Sequence, residues 1–189
     1  IGDLGAYYRR DLDAFKGAWK RRGPTYSPDA AETARYRASL ERLAEGRPIV
    51  GLATRGGVMS TSRGYRTLRA GEEVDRLISE TDALFVALDY DDMLPLAEHI
   101  TERHGEGRYV WYPSIVQHWD YDHVAALIAA TDLTVTVCQS VFHLSAGLGH
   151  PTRCLTPIKC AWRYAPIPGE PDLSYWYPGE RVKLYRQDE

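Results

Sequence analysis

The sequence predicts an α/β domain in which a parallel β-sheet is covered on both faces by helices. Two observations lead there. Five short apolar runs, Ile49 to Ala53, Ala83 to Leu88, Tyr109 to Trp111, Leu133 to Val137 and Thr152 to Leu155, alternate with segments of helical periodicity. The runs are continuously apolar instead of alternating in polarity, as strands buried on both faces are.

The elements follow in chain order. Residues 1–46 are rich in Arg, Ala and Tyr and are interrupted by Arg22-Gly23-Pro24-Thr25 and by Ser27-Pro28, a helix-start signal. They predict two helices joined by a turn, a helical connector leading into a domain over 47–189. Ile49 to Ala53 then reads as a buried strand ending in the glycine loop Arg55-Gly56-Gly57. Helical patterns are expected over Gly71 to Ser79, Met93 to Arg103, Tyr121 to Ala130 and Val141 to Leu148, each between two of the apolar runs. Beyond Pro157 the chain becomes rich in Pro, Trp, Tyr and Gly, and Val182 to Tyr185 closes it as an edge strand or a strap across the domain.

Composition narrows the function classes. A formal charge of −3 over 189 residues gives no general attraction for nucleic acid, although a local basic site can still hold a small polyphosphate. No run approaches the length of a membrane span, and the first ten residues lack the order of a signal peptide, so a cytoplasmic domain is expected. Cys138, Cys154 and Cys160 are odd in number and in no zinc-like spacing, which predicts reduced thiols and no metal. The chain begins at Ile1 without an initiating Met and is therefore expected to be part of a longer protein.

In an open parallel sheet, ligands bind beyond the carboxyl ends of the strands. After Val137 the turn Cys138-Gln139-Ser140-Val141 leads straight into a helix, with Ser140 expected as N-cap, His143 in the first turn and free backbone N–H groups for a phosphate. After the first strand, Arg55, Gly56, Gly57 and Arg66 combine close backbone approach with guanidinium forks. Neither the Walker pattern nor Gly-x-Gly-x-x-Gly is present. Asp89-Tyr90-Asp91-Asp92 matches a metal-binding Asp-x-Asp, but a simpler task is expected for these carboxylates near the start of the helix from Met93.

Three stretches resemble the C-terminal domains of B-type glycosyltransferases, those of glycosyltransferase family 9, the heptosyltransferases, and the transferase domain found behind tetratricopeptide repeats in bacterial proteins. They are Val50 to Gly57; Asp120 to Leu133 running on through Ser140 to Pro151; and Ala161 to Tyr164, Trp176 to Pro178 and Val182 to Gln187. The chain departs from the family pattern at Thr54, where Trp is usual, and at Cys138-Gln139, where Asp-Thr is common. The resemblance implies a Rossmann-like half of a B-type fold that binds a nucleoside-diphosphate sugar as donor substrate, with no further cofactor.

The function expected on this reading is glycosyl transfer to the hydroxyl of a glycan or protein acceptor. The catalytic base and acceptor cleft would lie in an N-terminal domain of the same protein. Two rivals remain: a non-catalytic nucleotide- or protein-binding module derived from such a transferase, and a metal-dependent A-type transferase using Asp89 and Asp91.

Overall fold

The computed structural model describes residues 7–8, 10–56, 66–90, 92–115, 120–177 and 179–187. Six strands, β1 (Ile49–Ala53), β2 (Leu84–Ala87), β3 (Tyr109–Val110), β4 (Leu133–Val137), β5 (Thr152–Thr156) and β6 (Val182–Arg186), form one sheet in the order β3-β2-β1-β4-β5-β6. Every pairing is parallel. The closing segment is therefore an edge strand, which joins β5 from Thr152↔Val182 to Thr156↔Arg186.

The helices are α1 (Leu12–Arg22), α2 (Ala30–Ala44), α3 (Asp75–Ser79), α4 (Leu94–His104), α5 (Tyr121–Ala129) and α6 (Ser140–Gly147). Asp29 caps α2 by accepting the Glu32 N–H at 2.8 Å. The α2 stripe Tyr36, Leu40 and Ala44 enters the core with α5, the Ile49 and Ala53 side of β1, and Val141 of α6. On the opposite face Val50, Leu52, Phe85 and Ala87 meet Val74, Ile78, Leu96 and Ile100. The alternation along β1 thus feeds two helical layers. Asp132 fastens α2 to this sheet: it accepts the Ile49 N–H at 2.8 Å and pairs with Arg37 at 2.6 Å.

Two details differ from the sequence expectation. The helix expected over Gly71 to Ser79 opens as a wider π turn, Ala70–Val74, in which the Val74 N–H reaches back to the Arg69 carbonyl. Gly71 is a weak helix former, and Arg69 holds the turn by forking onto Glu73. Only β1 and β2 are buried without break; β4 and β5 bury Thr134, Thr136, Thr152 and Thr156 on alternating positions. Thr152 satisfies its hydroxyl against Ser145 at 2.7 Å, which makes a polar side chain tolerable there.

Ahead of α2, the N–H groups of Thr25 and Tyr26 both donate to the Gly147 carbonyl at the end of α6, at 2.7 and 3.2 Å. The Tyr26 ring lies where a side chain on Gly147 would begin, 2.5 Å from the position of a Cβ. Among the described residues no helix is long and apolar enough to cross a membrane.

Candidate functional site

The strand order reverses between β1 and β4. From β1 the chain moves outward to β2 and β3, and from β4 it moves the other way to β5 and β6. The segments leaving the carboxyl ends of these two neighbours flank the position where an open parallel sheet usually has its ligand crevice. Those segments are the two singled out by the sequence, Arg55-Gly56 and Cys138 to Val141.

Asp89, just past β2, ties them together. Its Oδ2 accepts the backbone N–H and the hydroxyl of Thr54 at 2.7 and 2.8 Å; its Oδ1 accepts the Arg55 N–H at 3.0 Å and the Gln139 Nε2–H at 3.1 Å. The carboxyl group is 2% exposed, and burial pushes its pKa up against the pull of these four donors. The helix-start role expected for the Asp89 to Asp92 cluster belongs to Asp92, whose Oδ1 accepts the Leu94 N–H at 3.0 Å. Asp89 instead spends its acceptor sites on the crevice, while Asp91 lies outside the described residues.

The β1 segment is pressed against the β4 turn. A Cβ at Gly56 would lie 2.9 Å from Cβ of Arg66, 3.0 Å from its carbonyl and 3.1 Å from the Cys138 carbonyl, so no side chain fits. The Leu68 N–H returns to the Thr54 carbonyl at 2.8 Å, which brings the chain after the loop back over the strand end. The structure thus gathers Arg55, Gly56, Arg66, Cys138 and Gln139. Gly57 falls outside the described residues. The Tyr109 phenol is raised by burial and by Asp89, against the opposing influence of Arg55, which places all three groups in one neighbourhood.

Helix α6 starts differently from the sequence expectation. Ser140, expected as N-cap, is the first helical residue and is exposed; Gln139 occupies the cap position with extended backbone, φ −150° and ψ −175°, and makes no side-chain cap bond. The physical reason is the competing acceptor: the Gln139 amide is turned to Asp89. Its Oε1 is enclosed with no hydrogen-bond partner among the described residues. The first-turn N–H groups of α6 have no acceptor within the helix and carry its positive end.

Val141 and His143 contribute packing. Val141 joins the α2–α5 core. His143 Nδ1 and Nε2 meet the hydroxyls of Tyr177 and Tyr164 at 3.2 and 3.1 Å. Burial, reinforced by Arg163, lowers the His143 pKa to about 4, so it is a neutral strut between α6 and the C-terminal segment. All three cysteines are unpaired with one another, Cys138 and Cys154 buried and Cys160 half-buried. Two concavities lie elsewhere: one at the amino end of β6, beside Gly149 and Arg181, and one rimmed by the acidic Asp29, Glu32 and Asp122. Negative charge in the second is the wrong complement for a phosphate.

No protein-family model matches the chain. Over 189 residues it is 30% identical to protein FlbA of Caulobacter vibrioides, an alignment that covers 99% of this chain and 29% of FlbA. Among solved structures it is similar to the ADP-heptose lps heptosyltransferase II of E. coli, with a TM-score of 0.56 at 16% identity over 87% of this chain and 45% of that one. It is also similar to the glycosyl transferase family 9 protein of Veillonella parvula, with a TM-score of 0.50 at 10% identity over 82% and 40%. The chain thus spans less than a third of its curated relative and less than half of each solved structure.

Proposed function

We propose that this chain, which shares its fold with part of these family 9 transferases, is the donor-binding half of a glycosyltransferase and holds the diphosphate of a nucleoside-diphosphate sugar in the crevice between β1 and β4. The observation that supports the reading best is the meeting of two segments where the strand order reverses: Gly56 against the Cys138 carbonyl, with both segments bound to Asp89. A phosphate there would find the N–H groups opening α6 and the arginines of the β1 loop.

In the reaction we propose, an acceptor hydroxyl oxygen attacks the anomeric carbon from the side opposite the diphosphate. The new C–O bond forms as the bond to the diphosphate oxygen breaks, and the diphosphate leaves with that electron pair. Its growing negative charge is stabilised by the α6 N-terminus and by Arg55 and Arg66. The base that takes the hydroxyl proton, and the cleft for a glycan or protein acceptor, would come from an N-terminal domain of the same protein. An A-type metal role for Asp89 would require breaking its four hydrogen bonds, so we infer a site that works without a metal.

Titration calorimetry with a panel of nucleoside diphosphates and their sugars tests this. One nucleotide should bind with equal affinity in excess chelator and in millimolar manganese, and Arg55→Ala or Arg66→Ala should weaken it at least tenfold, the scale of a charge-assisted hydrogen bond. Affinity that collapses in chelator and returns with manganese would overturn the metal-free site. Absence of binding across the panel would overturn the donor reading.

A further inference from the structure

Two arginines of the segment after β5, neither of them in the two strand-end segments, lie near the same turn. Arg186 is the last residue of β6 and pairs in register with Thr156; one step back, Tyr185, Leu155 and Val137 lie side by side across β6, β5 and β4. Cys138 and Arg186 therefore stand at the same level of the sheet, two strand spacings or about 10 Å apart. The Cys138 thiol lies against the Leu155 carbonyl at 4.0 Å. Arg186 Nη1 turns inward to Cys160 Sγ at 3.8 Å, and Cys160 is fixed to the Tyr164 carbonyl at 3.4 Å. Arg163 stacks over the Tyr164 ring, 5.4 Å from its centre, and Tyr164 is itself bonded to His143 in the first turn of α6.

Among the described residues neither Arg163 nor Arg186 meets a carboxylate, and Arg186 Nη2 is enclosed without any acceptor. An enclosed guanidinium nitrogen with nothing to donate to is costly unless an anion completes it. The thiol of Cys138 reports the same field. Its pKa is lowered, first by a hydrogen bond with Cys154 and then, against burial, by Arg66, Arg163 and Arg186.

We propose that Arg163 and Arg186 form with Arg66 an anion cradle over the Cys138 turn, and that the anion it takes is a diphosphate. The inference rests on the donor-binding reading above and extends it. The C-terminal segment after β5 becomes part of the phosphate site, so the ligand is gripped from three strand ends instead of two. A diphosphate suits the cradle better than a monophosphate because Arg66 comes from the β1 side of the turn and Arg186 from the β6 side.

Inorganic pyrophosphate is the probe, titrated by calorimetry into the parent chain, Arg163→Gln and Arg186→Gln, with nucleoside diphosphates in parallel and thermal midpoints as a check on folding. Each variant should lose at least tenfold in pyrophosphate affinity, and the remaining binding should respond less to salt. Arg163→Gln decides alone if Arg186→Gln unfolds, since Arg186 also bonds the Pro171 carbonyl. If nucleoside diphosphates bind the parent and both variants equally, the cradle is wrong and the donor reading stands. If pyrophosphate binds, the variants lose it and no nucleoside diphosphate binds, the cradle stands and the donor reading falls. A parent that binds neither probe overturns both.

Discussion

Gln139 donates its side-chain N–H to Asp89 across 3.1 Å and so joins the turn after β4 to the end of β2, passing over the end of the intervening β1. Thr54, at the end of that β1, gives the same carboxylate two more hydrogen bonds. Thr54 and Gln139 are two of the positions at which the chain departs from the family 9 pattern, and both converge on one buried acid.

Asp89→Asn should therefore be severe despite its similar shape. An amide nitrogen would face donors from Thr54, Arg55 or Gln139, leaving buried groups unpaired at a total cost of roughly 2–4 kcal/mol. Urea unfolding should show a lower midpoint with an unchanged slope, and nucleotide affinity should fall with it. A variant that unfolds like the parent would mean that the four bonds do not hold the crevice.

Gly56→Ala should damage the same crevice by crowding. The added methyl meets the Arg66 and Cys138 carbonyls at 3.0 and 3.1 Å, and backbone atoms yield less readily than side-chain tips. We expect a loss of roughly 1–3 kcal/mol, as for other overpacked positions. Parental stability together with parental nucleotide affinity would show that the loop is not pressed against the turn.

Ser140→Ala should leave stability nearly unchanged, because Ser140 makes no cap bond. Ser140→Asp separates helix and ligand effects. A carboxylate in the first turn favours the helix by a few tenths of a kcal/mol, yet it would repel a phosphate bound there. The expected result is a slightly raised melting temperature in the free chain and at least a tenfold loss of nucleotide affinity. Unchanged affinity would move the phosphates away from α6.

Acid should destabilise the fold well above the carboxylate range. Burial holds His143 at about 4; it does the same for His150, with Asp132 opposing and Arg181 reinforcing, whereas the ordinary value is 6.5. As pH falls, the unfolded chain takes up these protons near 6.5 and the folded chain only near 4. Stability is thus intact above pH 6.5 and drains away between 6.5 and 4. Melting temperatures should track that interval, and His143→Asn and His150→Asn should each flatten the slope. Parallel slopes in all three proteins would contradict the assignment.

The parallel sheet and its helices were legible because burial on both faces leaves continuous apolar runs such as Ile49 to Ala53 and Leu84 to Ala87. Threonine-bearing β4 and β5 are still legible, since Leu133, Val135 and Val137 in the first and Cys154 and Leu155 in the second keep the runs apolar enough. The two strand-end segments that meet on Asp89 were legible from glycine and small polar residues at strand ends. What stayed hidden depended on contacts between distant positions: Asp89 read as part of a local acidic cluster because its partners lie 34 to 50 residues away. Ser140 reads as the cap because nothing local reveals that Gln139 turns toward that acid. Arg163 and Arg186 come from a Pro- and Trp-rich segment without periodicity, and only the register of β6 brings Arg186 level with Cys138.

The hold of Thr25 and Tyr26 on Gly147 gives α6 two fixed ends. Eight residues make a rod about 12 Å long, stiff enough to transmit a push along its axis. One tip opens into the crevice; the other is clasped by the backbone just ahead of α2, and the ring of Tyr26 fills the notch left by the missing side chain. Between its two ends the rod is pinned to β5 by Ser145 on Thr152 and to the C-terminal segment by His143 on Tyr164, so the backbone ahead of α2 and the turn at Cys138 are held at a fixed spacing.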